Sequence, residues 1–202
     1  MAQYGQSTQQ HDKIDVNDYY TRIDERLQAI GEEFSAAKQR LQGWTLEQTG
    51  FAAVTGGLSK TRRRAVKRLA DACADPSTPK LHELRKRVKY HWYHMRLLRD
   101  LWPPANKVWV KQLDRLGDWL GDDHDLAVFA DQIEDFDSEG ISDSDVKVVH
   151  GLINQRRQEL QSDAFRTASL LFAESSKAFA KRMKAYWRLS GFGVSSDEQV
   201  SR

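Results

Sequence analysis

The four prolines of this 202-residue chain fall in two close pairs, Pro76 with Pro79 and Pro103 with Pro104. Proline lacks an amide proton and clashes with the preceding turn, so it marks helix ends and avoids helix interiors. The two pairs therefore fence off the segment between them as one element. Inside it Leu81, Leu84, Val88, Trp92, Met95 and Leu98 recur every three or four residues, the period of a helix with one apolar stripe. Thr78 suits the N-cap and Pro79 the first helical position, where a missing amide proton costs nothing. The pair at 103 and 104 forbids continuation.

The same period runs through most of the chain. From about 18 to 42 it is carried by Ile23, Leu27, Ile30, Phe34 and Leu41. A second helix is expected from near Leu46 or Phe51 to about Ala74, with Gly56 and Gly57 each weakening it by roughly 1 kcal/mol relative to alanine. Beyond the second proline pair a helix from about 105 to 120 should stop at Gly121. "DDHD", residues 122 to 125, then opens another to about 137, its early acids placed well for the helix dipole. "SEGISDSD" reads as a turn, with Ser142 or Asp143 capping a long helix to about Phe172. A last helix covers about 175 to 189 and ends at Gly191. Nothing alternates with period two over a useful length. The expected fold is all-α: an antiparallel bundle of about seven helices with a basic groove or pore, spanning 17–190. Residues 1–16 read as a disordered N-terminal segment and 191–202 as a flexible tail.

No apolar run approaches the roughly 18 residues that a membrane-spanning helix needs, and "MAQYGQSTQQHDK" at the start lacks the apolar centre of a signal peptide. Cys73 stands alone, which excludes an intrachain disulfide and a thiolate metal cluster. These features point to the cytoplasm and to no membrane partner.

A net charge of +2 conceals how the charges are sorted. Residues 60 to 99 carry 13 Lys and Arg against Asp71, Asp75 and Glu83; residues 100 to 163 carry 15 acids against 6 bases. Residues 175 to 188 hold five bases and no acid. Such segregation creates strong local potentials in a nearly neutral chain, so an anionic ligand is a live expectation.

At about 100° per residue, His82, Arg85, Lys86, Lys89, Tyr93 and Arg96 share one side of their helix, away from the apolar stripe. Lys60, Arg63, Arg64 and Lys67 repeat the same spacing, and Lys177, Lys181, Lys184 and Arg188 share a face opposite Phe179, Met183 and Tyr186. Like charges at i, i+4 cost some tenths of a kcal/mol per pair unless an anion or acidic partner compensates them. One charged face is ordinarily solvated surface. Three rows with few interleaved acids favour a polyanion, for which arginine supplies forked donors and lysine a mobile point charge. His82, one turn inside a helix N-terminus, is placed to donate to phosphate oxygen.

"LHELRKRVKYHWYHMRLL", then "WP", then "LGDWLGDDHDLAVF", preceded by "GLSKTRRRAVKRL" and followed by "KAFAKRMKAYWR", resembles the CHAD family of helical domains over about Trp44 to Arg188. The resemblance implies a bundle of antiparallel helices whose basic faces line a groove or pore, with inorganic polyphosphate as ligand, no cofactor and association with polyphosphate granules. Carried over block by block, the binding residues are Lys60, Arg63, Arg64 and Lys67; His82, Arg85, Lys86 and Lys89; and Lys177, Lys181 and Arg182. Periodicity favours Lys184 over Arg182 in the last block. CHAD domains typically contain two similar halves, whereas this chain matches mainly the second. Either the pore is an open groove, or two chains pair as a homodimer that restores it.

Other residues look chemical and read as structural. His124 and Asp125 of "DDHD" are expected to brace adjacent helices, with Asp122 and Asp123 serving as cap and dipole partner. An HD pair with His82, His91 and His94 upstream would suit a metal-dependent phosphohydrolase, but His91 and His94 have no carboxylate at helical spacing. Nucleophilic catalysis has no legible arrangement, so no catalytic or metal residue is assigned. Trp92, Trp102, Trp109, Trp119 and Trp187 read as core and helix contacts. A nucleic-acid-binding protein, the main rival, should interleave aromatics on its basic face, and only Tyr93 is so placed.

Overall fold

A computed structural model describes residues 16–134 and 142–191. The ends expected to be mobile, 1–16 and 191–202, lie outside these residues except for Val16 and Gly191, as do residues 138–141 of the turn expected around 138–145. Six α-helices and one 3-10 turn, with no strand among the described residues, form an all-α protein. The chain separates into two units, Met1–Glu47 and Gln48–Arg202.

The described part of the first unit is dominated by one helix, α1 (Val16–Gln42), whose apolar stripe is largely exposed. The second contains α2 (Gly50–Ala74), α3 (Thr78–Leu97), the 3-10 turn Arg99–Leu101, α4 (Pro103–Glu134), α5 (Asp143–Phe172) and α6 (Ser176–Leu189). Here α2 packs on α3, α3 on α4 and α4 on α5, while α2 also meets α5 and carries α6. The buried positions explain the closure. Leu58, Ala65, Leu69 and Ala72 on α2 meet Leu81, Leu84, Val88 and Met95 on α3; Leu113, Leu116 and Leu120 line α4, and Leu160, Ala164 and Ala168 line α5. Each set recurs at three-to-four spacing, so each helix buries one stripe in a common apolar centre.

Seven expected helices become six because α4 runs unbroken through Gly121. Gly121 is buried inside the helix, and a Cβ there would meet the Arg85 Nη2 at 3.2 Å and Nε at 3.4 Å. The glycine is a site of close approach between α3 and α4, and Asp122 and Asp123 are neither cap nor first-turn residues. The N-cap of α3 is Ser77, one residue before the expected Thr78, and its side chain makes no capping bond. The Thr78 hydroxyl instead accepts from Arg157 Nη2 at 3.1 Å, tying α5 to the start of α3. Pro103 begins α4 as well as following α3. Buried Asn106 closes this corner by donating to the Leu98 carbonyl at 2.8 Å. Ser142 caps α5 as expected, accepting from the Asp145 amide at 3.2 Å, and Gly191 follows α6 with φ +70°, the left-handed value that favours glycine at a helix end. No described helix is long and apolar enough to cross a membrane.

Candidate anion-binding faces

On α2 the buried positions include Arg62 beside Leu58, Ala65 and Leu69, while Lys60, Arg63, Arg64 and Lys67 are all exposed. At about 100° per residue, the centre of that row lies opposite the buried stripe. The same holds on α6, where Lys177, Lys181 and Lys184 are exposed and Phe179 and Met183 are fully buried. On α3 the row is turned toward α4. Arg85 and Lys89 line a cleft of about 140 Å³ together with Trp92, Leu113, Asp114, Gly117 and Asp118. Farther along, Tyr93 and Arg96 border a shallow hollow with Leu97 and Arg99, and the Arg96 guanidinium lies 4.6 Å from the Trp92 ring centroid.

The centre shared by these helices is mostly apolar, with Arg62, His91, Asn106 and Asp123 as its buried polar members, and the α2 and α6 rows lie on faces turned away from it. Adjacency links them, because α2 has α3 and α6 as neighbours. Among the described residues, Lys60, Arg63, Arg64, Lys67, Arg85, Lys89, Lys177, Lys181 and Lys184 have no carboxylate at ion-pair distance. Lys86 does: it pairs with Glu83 one turn earlier, and the hydrogen bond from Lys86 holds the Glu83 carboxyl below its ordinary range. Asp114 and Asp118 bring part of the acidic segment into the α3–α4 cleft, so the Arg85 and Lys89 surroundings are of mixed charge.

Arg182 departs from its row. It lies on the inner side of α6, with Nη2 2.7 Å from a Glu174 oxygen and its guanidinium over Trp109, Phe179 and Tyr186 at 5.2 to 5.7 Å. Its surroundings are already filled. His82 also turns inward: its ring is 4.9 Å from that of His124, and Nδ1 of each is buried without a hydrogen-bond partner. His124 thus packs against α3. Asp125 is exposed, and the bracing acid is Asp123. Only 1% of Asp123 is exposed; it accepts from Arg157 Nε at 3.0 Å and from Gln161 at 2.7 Å, joining α4 to α5.

The most constrained cation is one the blocks do not single out. Arg62 is fully buried and donates to the Leu171 carbonyl at 3.0 Å and to the Glu174 carbonyl at 2.8 Å. The Leu171 oxygen belongs to the last turn of α5, where helix carbonyls lack intrahelical partners and the dipole favours a cation, and the Glu174 oxygen lies just beyond it in the link to α6. The Phe179 ring centroid lies 4.4 Å from its guanidinium carbon. Burial pulls its pKa down to about 10, with Glu174 opposing and Arg182 reinforcing, so it remains charged at neutral pH. Its Nη1 faces His91 Nε2 at 3.5 Å; arginine can only donate, so Nε2 accepts and the imidazole is neutral. Burial, then Arg62 and His94, push the His91 pKa down to about 3. Helical spacing carries the signal for Arg62, since it falls in register with Leu58, Ala65 and Leu69.

Four of the five tryptophans expected to pack do so: Trp92, Trp109, Trp119 and Trp187 rest against the core. Trp102 is half exposed and meets only the Tyr186 ring edge-on among the ring contacts of the described residues. No group of three or more His, Cys, Asp or Glu among the described residues is arranged to hold a metal ion.

A family model described as the CHAD domain matches residues 6–134. The match begins well before Trp44 and ends in α4, so the likeness is not confined to 44–188 and the α6 row lies outside it. A significant match was found neither among curated proteins nor among solved structures.

Proposed function

The chain belongs to the CHAD family, and from that premise we propose that its outward cationic rows bind inorganic polyphosphate without catalysing its breakdown. Some CHAD domains bind this polymer. The observation that carries the reading is the contrast in pairing: the row cations of α2 and α6 have no carboxylate partner among the described residues, whereas inward-turned Arg62 and Arg182 are fully engaged. Rows at three-to-four spacing on neighbouring helices offer repeated donors to a polymer of equivalent phosphates. Lys60, Arg63, Arg64 and Lys67 on α2 are the primary contacts, with Lys177, Lys181 and Lys184 beside them on α6. Arg85, Lys89, Tyr93 and Arg96 contribute from α3. Lys86 joins them by giving up Glu83, an exposed partner worth little.

Binding of this kind is multivalent. Extra phosphates engage extra cations at high local concentration, and counterion release makes affinity fall as salt rises. Calorimetric titration with long-chain polyphosphate and with tripolyphosphate, at equal chain concentration, tests this. The long chain should bind at least about tenfold more tightly and lose affinity steadily as salt rises. Equal affinities, or a preference for RNA when both compete at one salt concentration, would contradict the reading.

A further inference from the structure

The apolar residues of α1 follow a stricter rule than a helix packed on a globular core requires. Tyr20, Ile23, Leu27, Ile30, Phe34, Ala37 and Leu41 succeed one another at steps of 3, 4, 3, 4, 3 and 4, an unbroken heptad register over three turns of the repeat. A seam this narrow is what a second helix recognises in a coiled coil. Tyr20, Leu27, Ile30, Phe34 and Leu41 are nevertheless between 52% and 73% exposed. Helices this amphipathic gain most of their stability from packing the apolar face, and here that face is open.

We infer that α1 is a self-association element, and that it pairs with α1 of a second copy of this chain in the antiparallel direction. Side-chain size chooses the direction. Antiparallel pairing about the middle of the helix, between Gln28 and Ala29, overlaps its full length and sets Leu27 opposite Ile30 of the second copy. Ile23 then meets Phe34, and the large Tyr20 meets the small Ala37. Every layer combines complementary volumes, as close packing demands. In-register parallel pairing stacks Phe34 on Phe34 and Ala37 on Ala37, crowding one layer and hollowing another.

Charge fixes the register. In the centred antiparallel pair the flanking Arg26 of each copy faces Glu33 of the other, twice by symmetry. A slip of one heptad replaces this with Arg26 against Arg40 and Glu33 against itself. The result is a twofold interface, self-complementary and closed. It stands independently of the ligand proposed above, since none of its residues belongs to the cationic rows.

Sedimentation equilibrium of the full chain, over a series reaching high micromolar concentration, tests this. The chain should be a dimer that becomes a monomer in the Leu27→Asp/Ile30→Asp variant. Because that variant also endangers α1 itself, the direction is tested with charges. Arg26→Glu alone should weaken the dimer at least about tenfold by opposing Glu33, while Arg26→Glu with Glu33→Arg should restore it. In a parallel pair Arg26 faces Gly31, so the single change would do nothing and the double change would oppose a guanidinium to Lys38. A monomer at all concentrations overturns the inference. So does a dimer that tolerates Leu27→Asp/Ile30→Asp, or one indifferent to the charge exchange.

Discussion

Arg62 and Arg63 are neighbours on α2 with opposite surroundings, and the contrast holds for the two sides of the helix they occupy. On the inner side, Arg62 is buried against rings and capped carbonyls, and His91 beside it is held neutral. On the outer side, Lys60, Arg63, Arg64 and Lys67 stand exposed, without acidic partners among the described residues. One residue of displacement, about 100° around the helix, separates an arginine that caps a helix end from one whose guanidinium stands exposed. A count of basic residues in "TRRRAVKR" therefore overstates its capacity for ligand. What matters is which side of the helix each one takes.

The inner side should fail first when disturbed. Arg62→Met keeps most of the side-chain volume but strands the Leu171 and Glu174 carbonyls, and should cost about 3 kcal/mol of stability. Arg63→Met should cost less than about 0.5 kcal/mol. Denaturant midpoints of the two variants measure the difference. Equal losses would mean that the inner contacts contribute nothing special.

A gentler test uses pH. His91 has a native pKa near 3 and takes a proton near 6.5 once unfolded. Between these values the unfolded state binds more protons, so stability is full above about pH 6.5 and declines as pH falls toward 3. The slope from this group is at most about 1.4 kcal/mol per pH unit, one proton's worth. His94 is lowered by burial in the same direction and adds to it. His91→Gln keeps a neutral acceptor and should flatten the stability profile between pH 6.5 and 5. An unchanged slope would remove His91 as its source.

Much of the fold is legible in the sequence because each helix of the second unit buries a stripe at its own period. Gly121 shows where that legibility ends. A glycine followed by "DDHD" reads as a stop and a new cap, yet Leu113, Leu116, Leu120 and Ala127 keep a single period across it. The polar Asp123 fills the intervening core position, so a hydrophobic pattern alone registers a gap there. Its partners Arg157 and Gln161 lie more than thirty residues away, beyond the reach of local spacing. The cationic rows are readable on α2 and α6, where periodicity separates Arg62 and Arg182 from them. On α3 it could not show that Arg85 crosses Gly121, that His82 packs on His124, or that two aspartates of α4 share the cleft.

The outer side of α2 offers the smallest effect on stability and the most direct test of function. Replacing Lys60, Arg63, Arg64 and Lys67 together by alanine should change stability by less than about 1 kcal/mol, since it also relieves like-charge neighbours at i, i+4. Titration of this variant with long-chain polyphosphate, beside the unaltered protein at one salt concentration, should show binding weakened at least about tenfold with the melting transition retained. Undiminished affinity in a folded variant would contradict the account.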